Sequence, residues 1–311
     1  MGKYPIEEFL WGLGAGVVAL AVAAVAGWAR SGAGRAPATG LLMGVAALVA
    51  INPSRAPTPV VLVGLAGVTA AAALPAGRQS PAGAASLVMA VLLAAPFAWL
   101  LAIDASSIGW VRAVVVGGAA VGAVAAGRTD VEWGWTGLTP VLYVVTAAGV
   151  FAAVPNTQEA AALLGASVPG ALAGWPLCRG RLGGAGAAAA TALLVWVAAV
   201  GALGREPALV GAVACLGLLA TLPVGRWLAR WIDRRVRPPR WVVAAPLPVL
   251  VVHAVVVGVA SRVAGVSHEL RVAVPVSVAA MVGALIASLW LRPDTRTGRC
   301  DHLLRAEARP A

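Results

Sequence analysis

The chain has 311 residues, of which 60% are hydrophobic and only 11% are charged, and its mean hydropathy is +0.90. Soluble domains carry about 25% charged residues, so this composition argues against a soluble domain, which could not cover its surface with polar groups. The net charge of +11 comes from basic residues that flank apolar runs instead of forming one basic face, so we expect no nucleic-acid partner.

Apolar runs recur along the whole chain, and a hydrocarbon core of about 30 Å needs about 20 such residues per helix. The sequence therefore predicts an all-α, polytopic integral membrane bundle of ten or eleven transmembrane helices without a soluble domain. Residues 1–291 form this bundle and 292–311 form a basic cytoplasmic tail. The runs lie at 9–29, 38–52, 58–76, 82–103, 113–127, 137–154, 160–177, 183–204, 207–225, 241–260 and 272–291.

The first run resembles a signal peptide in position but not in character. It is longer than the apolar core of about 7–15 residues that signal peptides have, and it follows Glu7 and Glu8 instead of a basic segment. We therefore expect it to be a retained span.

The basic residues predict an orientation, because cytoplasmic loops are enriched in Lys and Arg. With eleven spans and an outside N-terminus, 17 of the 23 basic residues fall on the cytoplasmic side. Omitting the short fifth run gives ten spans, an inside N-terminus and the same division. Both arrangements place the C-terminus in the cytoplasm, and the charges alone do not choose between them.

Two further patterns are typical of membrane helices. Tryptophans, among them Trp11, Trp99 and Trp110, lie near the ends of runs, where interfacial anchors are found. The spacings Gly12-x-x-x-Gly16 and Gly118-x-x-x-Gly122 put small residues on one helix face, which predicts close helix packing without identifying the partner helix.

Ionisable residues within or beside the runs are candidate functional residues, since charge at membrane depth is costly. His253, in the tenth run, could relay protons or bind a substrate; the alternative is a neutral imidazole bonded to a neighbouring helix. Asp104, Glu159 and Glu269 are predicted on the outer side, where carboxylates could gather a cation or a polyol. For Glu159 the alternative is a charge that stabilises a helix N-terminus.

Two connecting segments have unusual compositions. Asp130 and Glu132 lie beside Trp133 and Trp135, which suits either a sugar or lipid-headgroup platform or an ordinary interfacial loop. The segment 226–240 predicts a helix at the headgroup level that contacts anionic lipid, although it could act only to orient the chain. Its contact residues are Arg226, Arg230, Arg234, Arg235, Arg237, Arg240, Trp227 and Trp231.

The sequence carries no nucleotide-binding loop, zinc-protease motif or hydrolase nucleophile motif, and we expect no cofactor or metal. A small secondary transporter or exporter in a bacterial plasma membrane is the best interpretation, and the Arg-, Ala- and Gly-rich composition suggests a GC-rich genome. The alternative is a non-enzymatic component of cell-envelope assembly that binds a lipid-linked intermediate or a membrane-protein partner. A membrane-embedded transferase or hydrolase would need converging outer carboxylates and ranks last.

Overall fold

The computed structural model describes residues 6–28, 59–73, 83–105, 108–123, 138–154, 158–174 and 183–202, with short pieces at 208–209, 211–212 and 215–216. All regular structure in these residues is helical, which confirms the all-α prediction for this part of the chain. The helices are α1 (Ile6–Trp28), α2 (Pro59–Ala73), α3 (Gly83–Ala105), α4 (Gly109–Gly117), α5 (Leu138–Ala153), α6 (Gln158–Gly174) and α7 (Gly183–Gly201), and α4 continues as a π-helical segment over Gly118–Gly122.

Only one of these helices is long and apolar enough by itself to cross a membrane. It is α3, through Val88–Ala105, and 28% of that segment is buried within the protein. Shorter apolar segments occur in α2, α4, α5 and α7. Within the described ranges, length and composition thus identify one candidate span where the sequence predicts ten or eleven.

The central element is α7, which packs against α2, α3, α4, α5 and α6. Its residues from 191 to 199 are all buried, including Thr191 and Trp196. A helix that is apolar on every side is stable only when other helices or lipid surround it. The Ala-rich sequence of α7 lets neighbouring helices approach it from several directions.

A seam of small residues joins α1 to α6. A Cβ atom added to Gly12 would collide with the backbone carbonyl of Ala162, and one added to Gly16 would lie 2.5 Å from the carbonyl oxygen of Ala166. Gly165 of α6 approaches the α1 backbone just as closely. The first glycine pair of the sequence therefore packs against α6, and the order of these contacts makes α1 and α6 parallel.

The pair formed by α2 and α3 is antiparallel. A Cβ on Gly64 would lie 3.0 Å from the Leu101 side chain, and one on Gly67 would overlap the ring of Phe97. Residue numbers therefore increase along α2 while those of the contacting residues on α3 decrease.

The second glycine pair packs against α7. A Cβ on Gly118 would lie 3.4 Å from Val195, and one on Gly122 would lie 3.1 Å from Thr191. The π-helical segment and α4 therefore run antiparallel to α7.

Hydrogen bonds fix the remaining directions. Tyr143 bonds to Ala187, each in the first turns of its helix, and Trp196 bonds to Asp104, each in the last turns. Thus α3, α5 and α7 are parallel. Only residues 155–157 separate α5 from α6, so α6 begins where α5 ends. It follows that α1, α2, α4 and α6 begin at the end of the bundle where α3, α5 and α7 finish.

The seam between α1 and α6 can be tested with a matched pair of glycines. We expect Gly12→Ala to destabilise the protein by about 1–3 kcal/mol, because backbone must move to admit the methyl group. Gly14 has open space around it, so Gly14→Ala should be neutral or stabilising by up to about 1 kcal/mol through helix propensity. Thermal unfolding in detergent, followed by size-exclusion chromatography, measures both. Equal melting temperatures for the two variants would contradict the seam.

Candidate functional site

Every charged side chain in the described part of the chain lies at one end of the bundle. This acidic end consists of Glu7 and Glu8 on α1, Asp104 on α3, Arg112 on α4 and Glu159 on α6. Four of the five are carboxylates. The helix directions bring Asp104 and Glu159 to the same end, although α3 and α6 are not major packing partners.

Glu159 is the buried carboxylate of this set, with 9% of its surface exposed. It lies in the first turn of α6, and no hydrogen bond from the described residues reaches its Oε2 atom. A helix N-terminus favours negative charge by about 0.3–1 kcal/mol, whereas a buried polar atom without a partner costs about 1–3 kcal/mol. The position therefore suits a charge at a helix N-terminus, and that interaction alone does not offset the cost of the unpaired oxygen.

Asp104 has a different environment. Its side chain is exposed, and its Oδ2 atom accepts a hydrogen bond of 2.9 Å from the indole Nε1 of Trp196. Trp196 is itself almost fully buried, so this bond links the central helix to the last turn of α3. The two predicted outer carboxylates within the described residues thus differ: Asp104 binds a tryptophan, and Glu159 has an oxygen available to a ligand.

A second polar group lies near the opposite end of α7. The Tyr143 hydroxyl donates to the Ala187 carbonyl oxygen at 2.9 Å, and the Thr191 hydroxyl reaches the same oxygen at 2.8 Å. The two hydroxyl oxygens are also in direct contact with each other. Both side chains are buried, and this triad joins α5 to α7.

The triad has fewer protons than contacts. Tyr143 and Thr191 supply one hydroxyl hydrogen each, but three contacts connect these hydroxyls and the Ala187 carbonyl. At any moment one contact is therefore made without its own hydrogen, and the hydroxyls can rearrange without a helix moving. Gly122 of the π-helical segment packs on Thr191, and π-helical turns are frequent at functional sites.

The other buried hydroxyls serve their own helices. Thr69 bonds to the Leu65 carbonyl at 2.7 Å and Ser167 to the Leu164 carbonyl at 2.8 Å. Such bonds are the usual way to satisfy a hydroxyl inside an apolar helix, and they indicate no ligand.

Most of the predicted functional residues lie outside the described ranges. For Glu159 the structure gives a position that is compatible with both interpretations, a ligand-binding carboxylate and a charge that stabilises a helix N-terminus. The residues outside the described ranges are Asp130, Glu132, His253 and Glu269 and the proposed lipid contacts Arg226, Arg230, Arg234, Arg235, Arg237, Arg240, Trp227 and Trp231.

Sequence reasoning did not single out Tyr143, Thr191 or Trp196. Tyr143 is one of only two tyrosines, and Thr191 interrupts an Ala- and Leu-rich run, so rarity inside an apolar run was the available signal. Tyr143 and Thr191 are 48 residues apart, so no local sequence pattern could predict that they contact each other.

No protein-family model matches the chain, and no curated protein matches it significantly. The described residues also contain no group of three or more His, Cys, Asp or Glu side chains that could hold a metal ion.

The direct contact between the two hydroxyls predicts non-additive mutations in the triad. Tyr143→Phe and Thr191→Val should each reduce the free energy of unfolding by about 0.5–1.5 kcal/mol, and the double variant by less than their sum, because either single substitution already removes the contact between the hydroxyls. Thr69→Val is the control for a buried hydroxyl that bonds only to its own helix. Chemical or thermal unfolding of the four variants in detergent measures the coupling. Strict additivity would show that the two hydroxyls act independently.

Proposed function

We propose that the protein is a small secondary transporter that crosses a bacterial plasma membrane several times. The observation that carries this proposal is the Glu159 carboxylate, which is buried in an apolar helical bundle with one oxygen unbonded in the described residues. A buried ionisable group of this kind is expensive to maintain, and in membrane proteins it usually marks the path of an ion or substrate.

The distribution of side-chain sizes supports a lipid environment. The interior is built largely from alanine, with Ala90, Ala94 and Ala98 fully buried, whereas Val18 and Leu92 are 63% and 60% exposed. Water-soluble proteins seldom expose a continuous apolar surface, and membrane helices place small residues between helices. Small residues inside and large apolar residues outside therefore favour lipid as the surrounding solvent.

Exposed tryptophans supply a second argument. Trp11 near the start of α1, Trp99 near the end of α3 and Trp110 at the start of α4 are 64%, 47% and 45% exposed. The helix directions put all three toward the acidic end of the bundle. A band of tryptophans at one level is typical of the interface between lipid and water.

The helix directions favour eleven spans over ten. Because α4 runs antiparallel to α7 and lies between α3 and α5 in the chain, it supplies a crossing that the ten-span arrangement omits. The N-terminus then lies on the same side as Glu159. Arg30, Arg78 and Arg128 follow the opposite ends of α1, α2 and α4 in the sequence, so the rule for basic residues makes that opposite side cytoplasmic.

A non-transporting role in cell-envelope assembly is the second candidate. It is favoured by the hydrogen bonds of Tyr143, Thr191 and Trp196, which hold α7 to its neighbouring helices. Polar groups used in this way stabilise the bundle and do not bind a substrate. Co-purification of a stable envelope protein or a polyprenyl lipid, without transport of any solute, would support this role.

The eleven-span arrangement predicts the accessibility of introduced cysteines. Gly2→Cys should react with a membrane-impermeant maleimide in intact cells, because the N-terminus is expected outside. Native Cys300, in the predicted cytoplasmic tail, serves as the internal control and should react only after permeabilisation. Labelling of Gly2→Cys only in permeabilised cells would favour the ten-span arrangement.

Transport can be measured in vesicles that contain the purified protein and an imposed pH gradient. We expect at least one member of a panel of cationic, anionic and neutral solutes to move faster than in protein-free vesicles. Glu159→Gln should abolish the dependence on the gradient, because the amide cannot exchange a proton at neutral pH. Glu7→Gln is the matched control, since Glu7 is an exposed carboxylate at the same end. Absence of flux for every solute would refute the proposal.

A further inference from the structure

We propose that Glu159 binds a monovalent organic cation, and that the bound cation and a proton compete for the same carboxylate. The exchange step rests on the proposed transport function, whereas the binding step does not. The starting point is that the Oε2 atom of Glu159 is buried and lacks a hydrogen-bond partner in the described structure. A carboxylate in this state is stabilised by a proton or by a positively charged ligand.

The surroundings of Glu159 favour an organic ligand over a hard metal ion. Metal ions such as Ca²⁺ or Mg²⁺ need about six oxygen ligands, and the described residues include no group of three or more potential acidic, His or Cys ligands. On the same face of α6, the next two turns present Ala162, Leu163 and Ala166, which are all buried and apolar, and the α1 backbone packs directly on Ala162 and Ala166. That packing leaves no space for a ligand between α1 and α6, so a cation would meet the carboxylate from the acidic end of the bundle. The apolar surroundings suit a cation that carries its own hydrophobic surface.

The neighbouring charges also favour a cation. Among the helices that pack against α6, α1 places Glu7 and Glu8 at the same end, and the described residues of α5 and α7 carry no charged side chain. Arg112 on α4 and Asp104 on α3 lie at this end on helices that are not major partners of α6. The half-buried Glu8 of the nearest helix thus adds negative charge that favours a cation over an anion, whereas Glu7 is exposed and its charge is screened by solvent.

Charge balance predicts how binding couples to protons. A single carboxylate neutralises one unit of positive charge, so it holds either one proton or one monovalent cation. Arrival of the cation releases the proton, and arrival of the proton releases the cation. Exchange of one for one is electrically neutral, so a pH gradient drives it and a membrane potential does not.

Tetraphenylphosphonium is a suitable probe, and tetraphenylborate is an anion of nearly the same size and shape. Equilibrium dialysis of the purified full-length protein in detergent should detect tetraphenylphosphonium binding that strengthens as pH rises and that exceeds tetraphenylborate binding. Glu159→Gln should weaken the binding by at least about tenfold and remove its pH dependence. Glu7→Gln should change it by less than about twofold, because an exposed charge is screened by solvent.

Several outcomes would overturn the inference. Equal affinity for the two probes would reveal simple hydrophobic partition, and unchanged binding in Glu159→Gln would exclude this carboxylate. If Glu159→Gln does not fold, Glu159→Asp keeps the charge and must retain pH-dependent binding. Cation binding that depends on Glu159 in a protein that moves no solute would refute transport and leave the site intact. Transport by a protein that binds no tetraphenylphosphonium would refute cation binding at Glu159 and leave the transport proposal intact.

Discussion

Close approach of helix backbones at glycine and alanine is the constraint on which the rest of the structure depends. The α1–α6 seam leaves no room for a methyl group at Gly12, and α7, whose sequence is rich in alanine and glycine, is surrounded on nearly all sides. In the lipid environment that we propose, apolar burial between helices gives little driving force, so dense packing and a few hydrogen bonds must hold them together. Small residues make that density possible, and they leave the large apolar side chains for the outside.

This packing also explains why so few polar groups are needed. The Tyr143 and Thr191 hydroxyls share one carbonyl oxygen, and the Trp196 indole uses one carboxylate oxygen of Asp104. Each contact joins α7 to a different neighbour, near opposite ends of that helix. The central helix is therefore fixed at two levels, whereas no hydrogen bond from the described residues reaches the Oε2 atom of Glu159. That contrast separates structural polar residues from a candidate ligand-binding one.

The helical class and the approximate helix positions could be predicted from apolar run length, because a run of twenty apolar residues has few other solutions. Glu159 and Asp104 were also found this way, since charge beside an apolar run is conspicuous. The partner of each glycine pair could not be predicted, because a small residue favours close approach by any helix. Likewise, the bond between Trp196 and Asp104 joins residues 92 positions apart, and only the folded arrangement of helices brings them together.

The charge pattern gave two topologies of equal merit because it counts residues in connections and contains no information on helix direction. Contacts between helices contain that information: Gly12 beside Ala162 and Gly16 beside Ala166 require a parallel pair, which an alternating chain produces only for certain numbers of crossings. The length of the run 113–127 does not establish whether it crosses the bundle. Its antiparallel direction relative to α7 favours a crossing.

The seam between α1 and α6 has a consequence for biosynthesis. Gly12 packs against Ala162, so about 150 residues must be made after α1 emerges before its partner exists. At roughly 5–20 residues per second, this interval lasts on the order of ten to thirty seconds. Throughout that time the glycine face of α1, which includes Gly12 and Gly16, lacks the α6 backbone that it packs against in the folded protein. The first helix of the chain must therefore be retained in a suitable environment before the bundle that will hold it has been synthesised.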